Sequence, residues 1–303
     1  FKDLPIEKAQ VSELENIYMA MVIGLRDYVT KNNFPGVILG LSGGIDSAFC
    51  AAVAVDALGK DKVNAYMLPS VYTSKNSLDD AKDCAKRLEI HLDSIPISNT
   101  FLSLEDSLEE LFEGLPTDIT EENLQSRIRG TILMAISNKI GKMLITTGNK
   151  SEVSVGYSTL YGDMNGGFNP IKDIYKTELY ALANWRNLNV PKNVLLTKKN
   201  IIPETIISKE PTAELRDNQK DSDSLPSYDQ LDQILEGLVE YELSTNELES
   251  KGFSRDEIKK VENLLYVSEY KRRQSAPGVK ISLRNFGRDR RYPITNKYRD
   301  KSE

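Results

Sequence analysis

The amino-acid sequence predicts an α/β protein: a doubly wound parallel sheet flanked by helices, with a helical extension toward the C-terminal end. Three observations carry this. Short apolar runs alternate with helical patterns as far as about residue 196, the signature of successive strand–helix–strand units. Those runs are apolar enough to be covered on both faces, as in parallel sheets. From about Thr197 the alternation stops, and a polar stretch gives way to two helical patterns and a basic tail. With 303 residues, 40% hydrophobic and 28% charged, the chain can bury a sizeable core. It reads as a single domain, 1–303, made of an N-terminal helix (1–30), an α/β core (31–196) and a C-terminal part (197–303).

An amphipathic helix covers about Val11–Thr30, with Leu14, Ile17, Met21 and Leu25 at helical spacing. Strand Val37–Leu41, helix Ser47–Leu58 with Gly59 as its stop, and strand Val63–Leu68 follow. Next come a helix near Leu78–Leu88, strand Leu92–Ile97, an acidic helix near Leu104–Phe112, a longer helix near Asn123–Ile140 and strand Met143–Thr146. A helix over Lys176–Leu188 closes the alternating part. "SKEPTAELRDNQKDSDSLPS" (Ser208–Ser227) is a long polar loop with little to bury, expected to be mobile when empty. Helices near Tyr228–Tyr241 and Arg255–Tyr270 precede the tail.

Several function classes drop out. No apolar run approaches bilayer-spanning length and no signal peptide precedes the first helix, so a cytoplasmic protein without a membrane partner is expected. Cys50 and Cys84 lie inside helical patterns and read as buried small hydrophobes. His91 is the single histidine; it reads as filling a structural niche, which sets aside Ser-His-Asp and His-rich metal mechanisms.

"GVILGLSGGIDS" (Gly36–Ser47) is the informative stretch. Ligands of open α/β sheets collect beyond the carboxyl ends of strands, where helix N-termini attract anions. Gly43 and Gly44 let the backbone approach a phosphate, and Ser42 and Ser47 offer hydroxyls. An N-cap with two turn glycines explains part of this, but Asp46 does not fit that reading. A carboxylate would repel a phosphate unless a divalent cation lay between, and Mg²⁺ held by carboxylates and phosphate oxygens is the usual solution. No lysine follows the glycines, so this is not the common G-x-x-x-x-G-K-[ST] loop.

"LSGGIDS" resembles the pyrophosphate loop of the N-type ATP pyrophosphatases, which adenylate a second substrate with ATP. "ENLQSRIRG" (Glu122–Gly130), "TTGNKSE" (Thr146–Glu152), "YGDMNGGFNPIKDIYKTELYALA" (Tyr161–Ala183) and "SKEPTAELRDNQKDSDSLPSYDQLDQILEG" (Ser208–Gly237) together resemble NAD synthetase, in that family's order and spacing. The resemblance implies the adenine nucleotide alpha hydrolase-like fold. It implies ATP-dependent amidation of deamido-NAD through an adenylated intermediate, with ammonia as nucleophile.

Carried over residue by residue, ATP falls to Gly40, Leu41, Ser42, Gly43, Gly44, Ile45, Asp46, Ser47, Thr147, Lys176 and Thr212. Asp46 and Glu152 are the Mg²⁺ carboxylates; Asp46, Lys176 and Thr212 are the expected catalytic set. Deamido-NAD falls to Asn123, Arg127, Glu152, Asp163 and Lys271. Taken singly, Glu152 could be a first-turn acid, Lys176 a surface charge, Thr212 a turn residue and Arg127 or Arg129 a helix salt bridge; the joint pattern favours a site. Short, ammonia-using members often carry a lysine at the place of Leu160 and an aspartate at that of Gly167, and some use arginine where Met67 stands. The polar loop is expected to close over ATP, bringing in Thr212. A homodimer, with the deamido-NAD site partly at the interface, is implied as well.

"KRRQSAPGVKISLRNFGRDRRYPITNKYRD" (Lys271–Asp300) is strongly basic in a chain of net charge -6. That asymmetry keeps a second reading open, an RNA-modifying ATP pyrophosphatase gripping tRNA phosphates. Against it stand the absence of an RNA-binding module in the sequence and the tail's resemblance to the long, glutamine-dependent NAD synthetases. A nucleotide sensor without catalysis would leave Glu152 and Lys176 unexplained. The first residue is Phe1, not methionine. The expectation is therefore the synthetase portion of an enzyme whose N-terminal nitrilase-like glutaminase domain lies elsewhere, with no nucleic-acid partner.

Overall fold

A computed structural model describes residues 12–217, 219–223 and 225–298. Residues 1–11, where the first helical pattern is expected to begin, the tail end 299–303, and Asn218 and Ser224 of the polar loop lie outside the described residues.

Four parallel strands form one sheet in the order β3-β2-β1-β4, with β1 Val37–Gly40, β2 Val63–Met67, β3 His91–Ser94 and β4 Met143–Leu144. Alternation along β1 explains the two-sided cover: Val37 and Leu39 enter one core, Ile38 the other. The first core is roofed by α1 (Glu13–Lys31), α2 (Ile45–Leu58) and α3 (Lys75–Leu88). The second face carries α4 (Ser98–Phe112) and α5 (Ile119–Ile140), with Ile128 and Leu133 packed near Ile38 and Leu144. Then come α6 (Lys150–Val155), α7 (Lys176–Leu188) and α8 (Glu204–Ser208). Helices α9 (Tyr228–Val239), α10 (Thr245–Ser250), α11 (Arg255–Val267) and α12 (Glu269–Arg272) build a third core around Leu231, Leu235, Ile258 and Leu265.

The doubly wound sheet and helical extension are as expected, with shifts at the ends. β4 is two residues long instead of four; beyond it Ile145 still donates its N–H to the Ile38 carbonyl of β1 at 2.9 Å and also bridges Phe168. β3 stops at Ser94 and lies on the sheet edge, largely exposed. The last helical pattern breaks at Ser268, which separates α11 from α12. Helices α6, α8 and α10 are single turns or little more, too short to show a period in sequence. His91 is no core residue: it is exposed, with Nε2 2.8 Å from Asp93.

Helices α2 and α7 do most to position the phosphate-type loop and its neighbours. α2 is buried along nearly its whole length, as its small residues allow. Its far end carries Asp56, completely buried and bound by Arg186 Nε at 2.7 Å and by the Tyr18 hydroxyl at 2.7 Å. Arg186 is itself fully buried near the end of α7, its remaining donors on the Asn189, Leu196 and Lys198 carbonyls. Arg26 of α1 caps the end of α2 from outside, donating to the Ala57 and Asp56 carbonyls.

Removing one partner of a buried ion pair strands the other charge, whereas removing a neutral hydrogen bond costs much less. Asp56→Ala is therefore expected to lose about 3–5 kcal/mol of stability, against about 1 kcal/mol for Tyr18→Phe. Chemical denaturation of both variants checks this, and equal losses would contradict it.

Candidate active site

β1 ends where the phosphate-type loop begins. The Leu41 N–H still reaches the Tyr66 carbonyl at 2.9 Å. Gly43 then adopts φ +84°, and a Cβ there would sit 2.2 Å from the Ser77 carbonyl of α3. Only glycine fits both constraints. Gly44 is the N-cap of α2 and no side chain caps that helix, so its first-turn N–H groups remain available to an anion. The serines brace the loop. Ser47 Oγ donates to the Gly44 carbonyl and accepts from Ser42 N–H; Ser42 Oγ accepts from Gly44 N–H at 3.2 Å.

Three charged side chains meet beside this loop. Lys176, the first residue of α7, lies 2.5 Å from Asp46 Oδ2 and 3.4 Å from Glu152 Oε1. Asn149 organises the carboxylates: its Nδ2 donates to Asp46 Oδ1 at 2.7 Å, while its Oδ1 and N–H form a capping box with Glu152 at the start of α6. Burial and the neighbouring Asp46 push the Glu152 carboxyl up to about 8, against the pull of Lys176. Burial disfavours the Lys176 charge, but Asp46 and Glu152 outweigh it and hold the ammonium protonated far beyond its usual range. Two carboxylates thus share one cation and would accept more positive charge. Among the described residues no group of three or more His, Cys, Asp or Glu side chains is arranged to hold a metal. The donor set nonetheless suits Mg²⁺, which commonly takes one or two carboxylates and completes its shell with phosphate oxygens.

Asp46, Glu152 and Lys176 line a cavity of about 340 Å³ that runs past Tyr66, Met67 and Leu68 to α5 and the turn at Gly162–Asn165. Thr147 and Thr212 line it too, so the structure joins them to Asp46, Glu152 and Lys176. Thr212 does not aim its proton into the space: its hydroxyl donates to the Gln219 carbonyl at 2.6 Å. The polar loop folds over the opening and is latched by Glu214, whose φ is +49°. The Glu214 carboxylate binds the start of α3, accepting from the N-cap Ser74 N–H, Ser74 Oγ (2.8 Å) and Ser77 Oγ (2.7 Å), with Lys209 at 3.7 Å.

The residues assigned to deamido-NAD separate. Glu152 and Asp163 line the cavity; Asn123, Arg127 and Lys271 do not. Those three grip one segment, Gly156–Asp163, whose own Asp163 braces it from within. Lys271 donates to the Gly156 and Ser158 carbonyls, Arg127 to the Leu160 carbonyl, Thr159 Oγ1 to Asn123, and Thr159 N–H to Asp163. On α5 it is Arg129 that reaches the cavity, with Ser126, Gly130 and Leu133 at one-face spacing, while Arg127 is exposed on another face. Burial lowers the Arg129 guanidinium to about 10 in spite of nearby Glu214. Sequence reading names Arg129 only beside Arg127 and assigns the ligand to Arg127, and it passes over Asn149. The helical period of α5 separates the two arginines, whereas Asn149 shows only as a helix cap. Asp221 is likewise passed over; Tyr228 binds it at 2.8 Å, with the Tyr228 ring 5.2 Å from Lys176 Nζ.

Comparisons with known proteins identify the family. The family model for NAD synthase matches residues 17–275. A glutamine-dependent NAD(+) synthetase from Rhodobacter capsulatus is 53% identical over 97% of this chain and 53% of its own length. One from Thermotoga maritima is 50% identical over 94% of this chain and 48% of its own. A solved structure of the Acinetobacter baumannii glutamine-dependent enzyme with ADP superposes with a TM-score of 0.64 at 45% identity, covering 96% of this chain and 52% of that one. The chain thus spans about half the length of these relatives.

The loop geometry makes its own test. With ATP seated on the loop, as its resemblance implies, Gly43→Ala meets the Ser77 carbonyl and is expected to weaken ATP binding by at least about tenfold, a cost near 1.4 kcal/mol. Gly44→Ala, where the nearest atom to the new Cβ is Ser42 Oγ at 3.3 Å, is expected to weaken it less. Isothermal titration with ATP compares the two, and the reverse order would refute the packing argument.

Proposed function

We propose, for a chain that belongs to the NAD synthase family, that the cavity amidates deamido-NAD to NAD at the expense of ATP. A nicotinate carboxylate is a poor electrophile. Attack of one carboxylate oxygen on the α-phosphorus of ATP forms the acyl-adenylate and expels pyrophosphate. Ammonia then attacks the acyl carbon, the bond to the AMP oxygen breaks, and a proton is lost as the amide forms. The observation that carries this reading is the Asp46–Lys176–Glu152 cluster set against the uncapped N-terminus of α2.

Each group has a part in that chemistry. The α2 N-terminus and Gly43–Gly44 would receive the polyphosphate, and Lys176 the charge that grows on the leaving pyrophosphate. Mg²⁺, when bound by Asp46 and Glu152, would neutralise phosphate charge that these carboxylates would otherwise repel. Asn149 keeps both carboxylates turned inward. Thr147 and Thr212 are assigned to ATP, and the Thr212 hydroxyl would have to leave Gln219 to donate there. Asp163 is assigned to direct contact with deamido-NAD; Asn123, Arg127 and Lys271 to shaping its seat through Gly156–Asp163. The closed Ser208–Ser227 segment would shield the acyl-adenylate from water.

The RNA-modifying alternative loses its main support. Arg284 and Arg290 of the basic tail both bind Glu242, and Lys280 binds Asp289. We also assign a homodimer. Helix α4 has no buried residue, and Leu102, Leu111, Leu115 and Ile119 are exposed on and beside it, an apolar strip suited to a second copy. Among the described residues no helix is long and apolar enough to cross a membrane, and a cytoplasmic location accords with the substrates.

Ammonia is the nucleophile we assign to this site, supplied in the longer relatives' manner by a glutaminase domain. Both thiols of the chain are completely buried, and burial drives the Cys84 thiol up to about 12, so neither suits glutamine hydrolysis. NAD synthesis by these 303 residues is expected with ammonium and not with glutamine; efficient glutamine-driven turnover would overturn the assignment. Asp46→Asn and Glu152→Gln are each expected to lower NAD formation by at least about 10²-fold while the fold survives. Release of AMP and pyrophosphate from ATP, Mg²⁺, deamido-NAD and ammonium measures this, with circular dichroism as the fold control. Wild-type turnover in either variant would remove the carboxylates from the reaction.

A further inference from the structure

We propose that Lys150 is a positioning residue for this reaction, through which the tail segment Ile281–Arg284 sets the spacing between Glu152 and Lys176. The proposal rests on the function assigned to the cavity. Lys150 lies outside the cavity lining and is completely buried, a placement that is costly for an ammonium unless it is fully paired. It is fully paired. Its Nζ meets Asp173 Oδ1 at 2.9 Å and the Arg284 carbonyl at 2.9 Å, together with Glu240 Oε1 and Ser282 Oγ. The Tyr175 ring centroid lies 4.9 Å away.

Lys150, at the start of α6, draws its partners from three separate stretches: the turn before α7, the residue after α9, and the tail. Asp173 also accepts the Ile281 and Ser282 N–H groups, each at 2.8 Å, and Glu240 accepts the Arg284 N–H. The tail therefore completes the cluster and does not merely cover it. What the cluster joins is informative. Lys150 stands two residues before Glu152, and Asp173 three before Lys176. Backbone N–H groups lace the same two segments, Lys150 N–H donating to the Ile174 carbonyl at 2.8 Å and Lys176 N–H to Ser151 Oγ at 2.9 Å. The Glu152–Lys176 contact, at 3.4 Å, is the longer of the two ion pairs that Lys176 makes, and its length depends on how these two backbones are held. Stability alone does not call for this arrangement, because buried ion pairs replaced by apolar residues of similar volume often leave a protein no less stable. A four-partner ammonium does specify geometry.

The test uses Lys150→Met, Lys150→Arg and Ser282→Ala in this chain, with Ile258→Val of the third core as a control for destabilisation without displacement. For each folded variant, kcat and KM for ATP are measured with ammonium as nitrogen donor. Lys150→Met is expected to lose about 10²-fold in kcat, the scale of a misplacement near 1 Å, while KM for ATP moves by less than about threefold. Lys150→Arg recovers part of the loss, Ser282→Ala loses about tenfold, and Ile258→Val keeps its kcat per folded molecule. A folded Lys150→Met or Ser282→Ala with wild-type kcat overturns the proposal. Should Lys150→Met fail to fold, Ser282→Ala decides, because it leaves the ion pairs to Asp173 and Glu240 in place. A wild-type chain that releases no AMP and pyrophosphate would defeat the reading of function, and this proposal with it; an active wild type with unimpaired variants would defeat this proposal alone.

Discussion

Two ion pairs, one at each end, hold α2 and α7 side by side, and the site depends on that pairing. Asp46 and Asp56 stand ten residues apart on α2, as do Lys176 and Arg186 on α7. At 1.5 Å per residue both rungs span about 15 Å, so the helices match in length between them. The remote rung is dry and fully hydrogen-bonded, with Tyr18 and three backbone carbonyls completing it. The near rung opens on the cavity and keeps an unequal charge count. A rigid anchor at one end allows strained electrostatics at the other, because Lys176 cannot retreat from the two carboxylates without dislodging a helix whose far end is fixed.

Much of this was legible in residue order. The glycine pair, the aspartate two residues after it and the lysine opening a helix mark where a sheet edge receives an anion. The doubly covered sheet follows from the strand runs themselves. Other parts were not legible, for identifiable reasons. Arg127 and Arg129 look alike in a string, and only the phase of α5 tells which one meets the cavity. Asn149 acts through both ends of one amide across a sequence separation of a hundred residues, which no local pattern encodes. The second attachment of Ile145, to Phe168 as well as to Ile38 of β1, is a non-local contact. The basic tail read as a surface charge array, yet Arg284 and Arg290 converge on Glu242, and Ser282 reaches the interior.

The electrostatics of the cavity form one pattern. The carboxylates outnumber the lysine, burial strengthens their repulsion, and the uncapped α2 N-terminus adds positive potential without adding a mobile charge. A site built this way holds polyphosphate through fixed dipoles and one ammonium, leaving the carboxylates for a cation that arrives with the ligand. Arg129, kept below its usual range by burial, adds charge at the opposite end of the cavity.

The Glu214 latch has a consequence for how ligands reach that cavity. Its carboxylate binds Ser74 and Ser77 at the start of α3, and its own backbone sits in the left-handed region. Any opening of the segment releases that strain but surrenders the three hydrogen bonds together. If the balance leaves even about 3 kcal/mol in favour of closure, the open form is populated below about 1% at equilibrium. Entry would then be gated by a rare state, and the apparent affinity of any ligand that must pass the segment would be weakened in proportion to that rarity, however well the cavity itself fits.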